Sequence, residues 1–253
     1  MRVYIDVFRT QKAGNAESEY EDAFWQPKCQ GAFHGDALRI AAADGATDSI
    51  FSGFWAYLLV RAYGRRRMDN SKFPEHVANL GRLWARIVRR RRPMPWYAEE
   101  KARSGAHAAF LGVELIQAPD SSAGNWSALA CGDCCFFQLR AAEMITAFPV
   151  SCADDFSSTP LLLSSGGMTS NELGAVRTAT GSWQEGDCLY LMTDALACWF
   201  LSTCEKGLVP WELLRDLTLA KTPPFESWVA DLRLRHEIKN DDCTLVSVTF
   251  EHC

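Results

Sequence analysis

Residues 38–45 read Leu-Arg-Ile-Ala-Ala-Ala-Asp-Gly. Leu38 to Ala43 predicts a β-strand, and Asp44-Gly45 ends it where irregular backbone begins. A buried strand end is an expensive place to leave a charge unpaired, so Asp44 there calls for a partner. Gly45 lets the backbone come close to an ion and offer its carbonyl oxygen. Taken alone, Asp-Gly is an ordinary turn. The same arrangement recurs, however, on both sides of this stretch. Glu21-Asp22 lies in EYEDAF (19–24), and Asp194 closes the apolar run LYLMTDAL (189–196). Asp241-Asp242 opens a last strand in NDDCTLVSV (240–248), and Asp133 sits in the turn ACGDCC (130–135). Several carboxylates delivered to converging strand ends need cations between them. Hard divalent ions with oxygen ligands, Mg²⁺ or Mn²⁺, suit such a set.

The remaining pattern gives the fold class. Strands are predicted at Ala108 to Ile116, Trp126 to Cys131, Cys134 to Leu139, Cys188 to Thr193 and Leu245 to Phe250, with Gly132-Asp133 joining a hairpin. Helices are predicted at Phe51 to Tyr63, His76 to Arg92, Trp211 to Leu219 and Glu226 to Glu237. Pro93 and Pro95 stop the second helix. Residues 119–125 and 153–160 read as loops. The order of elements points to an α+β fold, with antiparallel sheet and flanking helices.

Bulk properties narrow the classes. No composition shift divides the 253 residues, so one domain over 1–253 is expected. The net charge of −5 gives no reason to expect nucleic-acid binding. No apolar run reaches the ~20 residues that span a bilayer, and MRVYIDVFRTQKAG lacks the apolar core of a signal peptide, so neither a membrane nor export is expected. The ten scattered cysteines then read as reduced thiols of a cytoplasmic protein. Cys131, Cys134 and Cys135 lack a second ligand pair for structural zinc and read as small buried residues around a turn. Arg65 to Arg67 and Arg89 to Arg92 read as solvated helix ends. Ser164-Ser165-Gly166-Gly167 lacks the lysine of a phosphate-binding loop and reads as a flexible loop near the site. His34 and His107 read as surface or packing residues.

The ordered set EDAF (21–24), AADGATDS (42–49), SGAHAAFLGV (104–113), ALACGD (128–133), GDCLYLMTDAL (186–196) and DDCTLVSV (241–248) resembles the metal-dependent type 2C protein phosphatases. The resemblance spans about residues 20 to 250. It implies a four-layer αββα sandwich of two antiparallel sheets, with a binuclear Mg²⁺ or Mn²⁺ site at one edge. It further implies that Asp44 bridges both ions and that the Gly45 carbonyl binds the second. Asp194 and Asp241 complete the shell of the first, while Glu21 and Asp22 act through water or behind the direct ligands. Asp133 matches a turn that, in many bacterial members, helps hold a third ion beside Asp194. The implied activity is hydrolysis of phosphoserine and phosphothreonine in proteins by metal-activated water, in a signalling role.

Three positions depart from the family pattern. The phosphate-gripping arginine expected four residues before Glu21 is Glu17, Ala195 replaces a glycine, and Asp242 stands where many members carry asparagine. Arg9 or Lys12, in the preceding segment, are the candidates for the missing cation. Glu17 leaves two rival readings open: a phosphatase of small phosphate esters, and a non-catalytic module that kept the fold.

Overall fold

Strand β4 (Ala37–Gly45) shows why two sheets stack on each other. Its side chains alternate between faces, as the period of a strand requires. Leu38, Ile40 and Ala42 enter one apolar core, whereas Ala41 and Ala43 enter another. The first core is shared with Val246 and Val248 of β12 (Cys243–Phe250) and with Leu189 and Leu191 of β11 (Cys188–Met192). It is the filling between two sheets. The second core lies beneath helices α1 (Ser52–Gly64) and α2 (Phe73–Arg89).

The computed structural model describes residues 1–250 except positions 30, 48, 69, 91–95, 158 and 221–222, with only the backbone described at 70, 97, 98 and 220. The remaining strands are β1 (Arg2–Thr10), β2 (Ala23–Trp25), β3 (Phe33–His34), β5 (His107–Gln117), β6 (Ala123–Cys131), β7 (Cys135–Arg140), β8 (Glu143–Phe148), β9 (Leu163–Ser164) and β10 (Arg177–Gln184). One sheet runs β3-β1-β12-β11-β7-β8, and the other runs β10-β6-β5-β4-β2 with β9 paired to β5. Every strand pairing is antiparallel. The other helices are α3 (Trp96–Ser104), α4 (Ser170–Ala175), α5 (Asp194–Glu205), α6 (Pro210–Ala220) and α7 (Phe225–Leu234). Leu196, Phe200, Leu214 and Val229, from α5 to α7, form a third core with Phe137, Tyr190 and Leu245 on the outer face of the first sheet. The result is the expected four-layer αββα sandwich.

The expected strands and helices are present, with ends shifted by a few residues. The second helix begins at Phe73 rather than His76, and its expected end at Arg92, with Pro93 and Pro95, lies outside the described residues. The expected loop at 119–125 already becomes strand at Ala123. Asp194 opens α5 rather than ending β11, with Thr193 extended at the N-cap and its carbonyl accepting the Ala197 N–H at 2.9 Å. Ser165 of the expected flexible loop is buried. Its Oγ accepts the Ala106 N–H at 2.8 Å, and its backbone packs against Gly81 of α2. Among the described residues no helix is long and apolar enough to cross a membrane.

Candidate active site

Strand registers bring the acidic motifs to one edge of the sandwich. Ala23 faces Ala43, Gly45 faces Ala108, Cys131 faces Phe110, and Cys135 faces Met192, which in turn faces Leu245. Asp22 precedes Ala23 and Asp44 follows Ala43, Asp133 sits in the turn between Cys131 and Cys135, Asp194 lies two residues beyond Met192, and Asp241 comes just before β12. Parity then aims two of them inward. Asp44 continues the Leu38, Ile40, Ala42 face, and Asp22 continues that of Phe24, whose ring packs into the inter-sheet core.

Asp22 is held by two hydroxyls. Thr193 Oγ1 and Thr244 Oγ1 donate to its Oδ2 at 3.0 and 2.6 Å, while Oδ1 is buried without a partner. Thr193 is itself positioned by the Thr244 N–H at 3.0 Å. Burial first, and then the charges of Asp242 and Asp194, push the Asp22 carboxyl well above its usual range. Asp44 is shifted the same way, by burial and then by Asp22, Asp194, Asp133 and Asp241. Asp133, on the β6–β7 turn, is pushed up to about 7 by burial and by Asp194. Glu21 is raised by burial, although the Ser52 hydroxyl donates to it. Asp194, at the first position of α5, is also raised by burial, although its own helix supplies the Ala195 N–H at 2.6 Å. These carboxylates repel one another in a dry place, which is the condition that a divalent cation relieves.

Gly45 fits where a side chain would not. A Cβ there would meet the Ser52 carbonyl carbon at 2.6 Å, the Gly53 nitrogen at 2.8 Å and the Glu21 oxygen at 2.9 Å. The strand end is thereby pressed between the Glu21 segment and the start of α1.

Asp242 does different work. Its two oxygens accept the Lys12 and Glu21 N–H groups, each at 2.7 Å. It ties the loop before the acidic pair to the start of β12 and does not face the other carboxylates as a free ligand. Glu17, in a short 3-10 turn, binds Arg9 Nη2 at 2.9 Å, and the Arg9 guanidinium lies over the Tyr20 ring at 5.3 Å. The residue standing in for the missing arginine thus engages one of the two cations nominated to replace it.

One participant carried no recognised signal in the sequence. Lys239 Nζ lies 3.1 Å from Asp194 Oδ2 and 2.7 Å from Asp241 Oδ2. Its position two residues before Asp241 was the available clue. Among the described residues, no three His, Cys, Asp or Glu side chains are already arranged to hold a metal ion. The donor chemistry nevertheless fits a hard divalent ion: the cluster is all carboxylate, and a buried Asp22 oxygen lacks any partner. His34 is exposed on β3, and His107 Nδ1 lies 3.3 Å from Ser49 Oγ. Cys134 and Cys135 are buried thiols whose ionisation is pushed up by that burial, and Cys131 is pushed up to about 12 for the same reason.

No protein-family model matches the chain, and no curated protein matches it in sequence. Solved structures do match over its whole length. The serine/threonine phosphatase PstP/Ppp of Mycobacterium tuberculosis is 15% identical, with 100% of both chains covered and a TM-score of 0.58. The PstP catalytic domain in complex with two manganese ions is 13% identical, with 99% of each chain covered and a TM-score of 0.57. RsbX in complex with magnesium is 15% identical, with 99% of this chain and 96% of that one covered and a TM-score of 0.54. With its two antiparallel sheets, outer helices and acidic edge, the chain therefore has the fold of the type 2C protein phosphatases, as its ordered sequence motifs implied.

Proposed function

We propose that this chain is a metal-dependent serine/threonine protein phosphatase, a phosphoric monoester hydrolase acting as one domain over its whole length. The observation that carries this reading is the inter-sheet edge itself. Five aspartates, 22, 44, 133, 194 and 241, influence one another there, and Asp22 keeps a buried oxygen without a partner. In this reading Asp44, Asp194, Asp241 and the Gly45 carbonyl hold two Mg²⁺ or Mn²⁺ ions. Asp133 serves a third, and Glu21 and Asp22 support the set. Similar folds in complex with manganese and with magnesium favour the same ions. When bound, such ions supply a water activated near neutral pH and neutralise charge building on the phosphoryl oxygens.

The chain's own residues do the rest. Thr193 and Thr244 fix Asp22, and Asp242 fixes the Lys12–Glu21 segment, so the carboxylates are held before substrate arrives. The α5 N-terminus favours negative charge at Asp194. Arg9 or Lys12 is the cation offered to the substrate phosphate. A groove of ≈ 860 Å³ runs from Asp133 along Pro149, Leu161 and Asn171 to Arg177, with room for a phosphorylated peptide segment. The nine described cysteines are free, which favours a reducing compartment such as the cytoplasm.

A second reading, a non-catalytic module, is favoured by the Arg9–Glu17 pair, which engages a phosphate-binding candidate. Hydrolysis of a phosphothreonine peptide decides between them. The phosphatase reading expects turnover in the wild type and loss of at least about a hundredfold in Asp44→Asn, with the far-ultraviolet circular dichroism unchanged. Equal turnover in both proteins, or none in the wild type under saturating Mn²⁺, rejects it.

A further inference from the structure

The acidic edge has a cation of its own. Lys239 Nζ contacts Oδ2 of both Asp194 and Asp241, at 3.1 and 2.7 Å. These are the two carboxylates assigned above to the first ion, and the inference rests on that assignment. The backbone beneath the lysine is fixed. The Asn240 side chain accepts the Ala13 N–H at 2.8 Å and donates back to the Ala13 carbonyl at 3.3 Å, while the Asp241 N–H donates to the Lys239 carbonyl at 3.0 Å. The side chain above it is not fixed. It is 64% exposed, on a flexible four-carbon stem that can swing outward without disturbing any core. An ammonium and a divalent ion drawn to the same carboxylate oxygens repel each other at close range, so each weakens the other's hold there.

We infer that Lys239 is a resident cation that occupies Asp194 and Asp241 until a divalent ion displaces it, so that this lysine sets how tightly the site binds metal. The lysine neutralises part of the charge of the metal-free edge and gives up its place at a cost to metal affinity.

Calorimetric titration of the full chain with Mn²⁺ tests this without any substrate. Lys239→Met keeps most of the stem and removes the ammonium. Loss of the ammonium from these two contacts should tighten the first Mn²⁺ site about fivefold or more. Through-space repulsion alone would give a gain that salt abolishes, whereas contact competition persists at 0.5 M KCl. An unchanged Kd, or a gain that vanishes in high salt, overturns the role of Lys239 while leaving the metal site standing. Absence of Mn²⁺ binding in both proteins overturns the metal-site assignment itself.

Discussion

Asp133 keeps its proton to about pH 7 in the folded chain but releases it near 3.8 when unfolded. Between those values the folded state binds more protons, so this residue makes the metal-free protein less stable as pH rises. Asp133→Asn should therefore match the wild type in melting temperature near pH 4 in chelator. It should melt higher at pH 8, by the equivalent of on the order of a few kcal/mol. Curves that stay parallel across that range would show that Asp133 is not confined as described. Glu17 and Arg9 give a second test at this scale. Their ion pair is exposed on both sides, at 48% and 77%, so it holds Arg9 only weakly. If Arg9 grips the substrate phosphate, Arg9→Ala raises the KM for a phosphopeptide about tenfold, and Glu17→Ala lowers it by a few-fold. An unchanged KM in both would remove Arg9 from that role. Asp44 was legible as a carboxylate at a strand end because the apolar run Leu38 to Ala43 leads straight to it, whereas its inward aim shows only once the fold places Leu38, Ile40 and Ala42 in the inter-sheet core. Lys239 was not legible, because a lone lysine before an acidic pair reads as a solvated charge and only the fold places it across from Asp194.

At the scale of elements, the site depends on how closely β4 and the start of α1 press on the Glu21 segment. Gly45→Ala would drive a Cβ into backbone atoms at 2.6 to 2.9 Å, none of which can yield as a flexible side chain would. We expect a loss of roughly 1–3 kcal/mol in urea denaturation, together with weakened Mn²⁺ binding. A fully stable Gly45→Ala protein would show that this contact is looser than described. Elements with strong apolar content were readable: α2 followed from its apolar stripe, and β4, β5 and β12 from short apolar, β-rich runs. Elements missed in the sequence lacked that contrast. Strand β10 (RTATGSWQ) is an edge strand with a mostly polar, exposed pattern. Strand β1 mixes charged and apolar residues, yet it lies between β3 and β12. Helix α5 is apolar nearly all round because α6 and α7 share its core, so no stripe marks it as a helix.

Across the whole molecule, three apolar cores hold two sheets and two helical layers in register, and that register assembles one charged edge from segments as distant as Asp22 and Asp241. Order of motifs made this architecture legible, since no single motif is specific. The state of the edge was less legible, because threonine clamps, the Asp242 tie and the lysine contact depend on side chains brought together only by folding. The central claim is that this edge hydrolyses phosphate esters with a divalent ion. It is tested most directly by hydrolysis of p-nitrophenyl phosphate by chelator-treated protein, with and without added Mn²⁺, in the wild type and in Asp44→Asn. The expected result is no turnover in chelator, turnover that rises and saturates with Mn²⁺ in the wild type, and no recovery in Asp44→Asn. Turnover that is independent of Mn²⁺, or that Asp44→Asn retains, would contradict it.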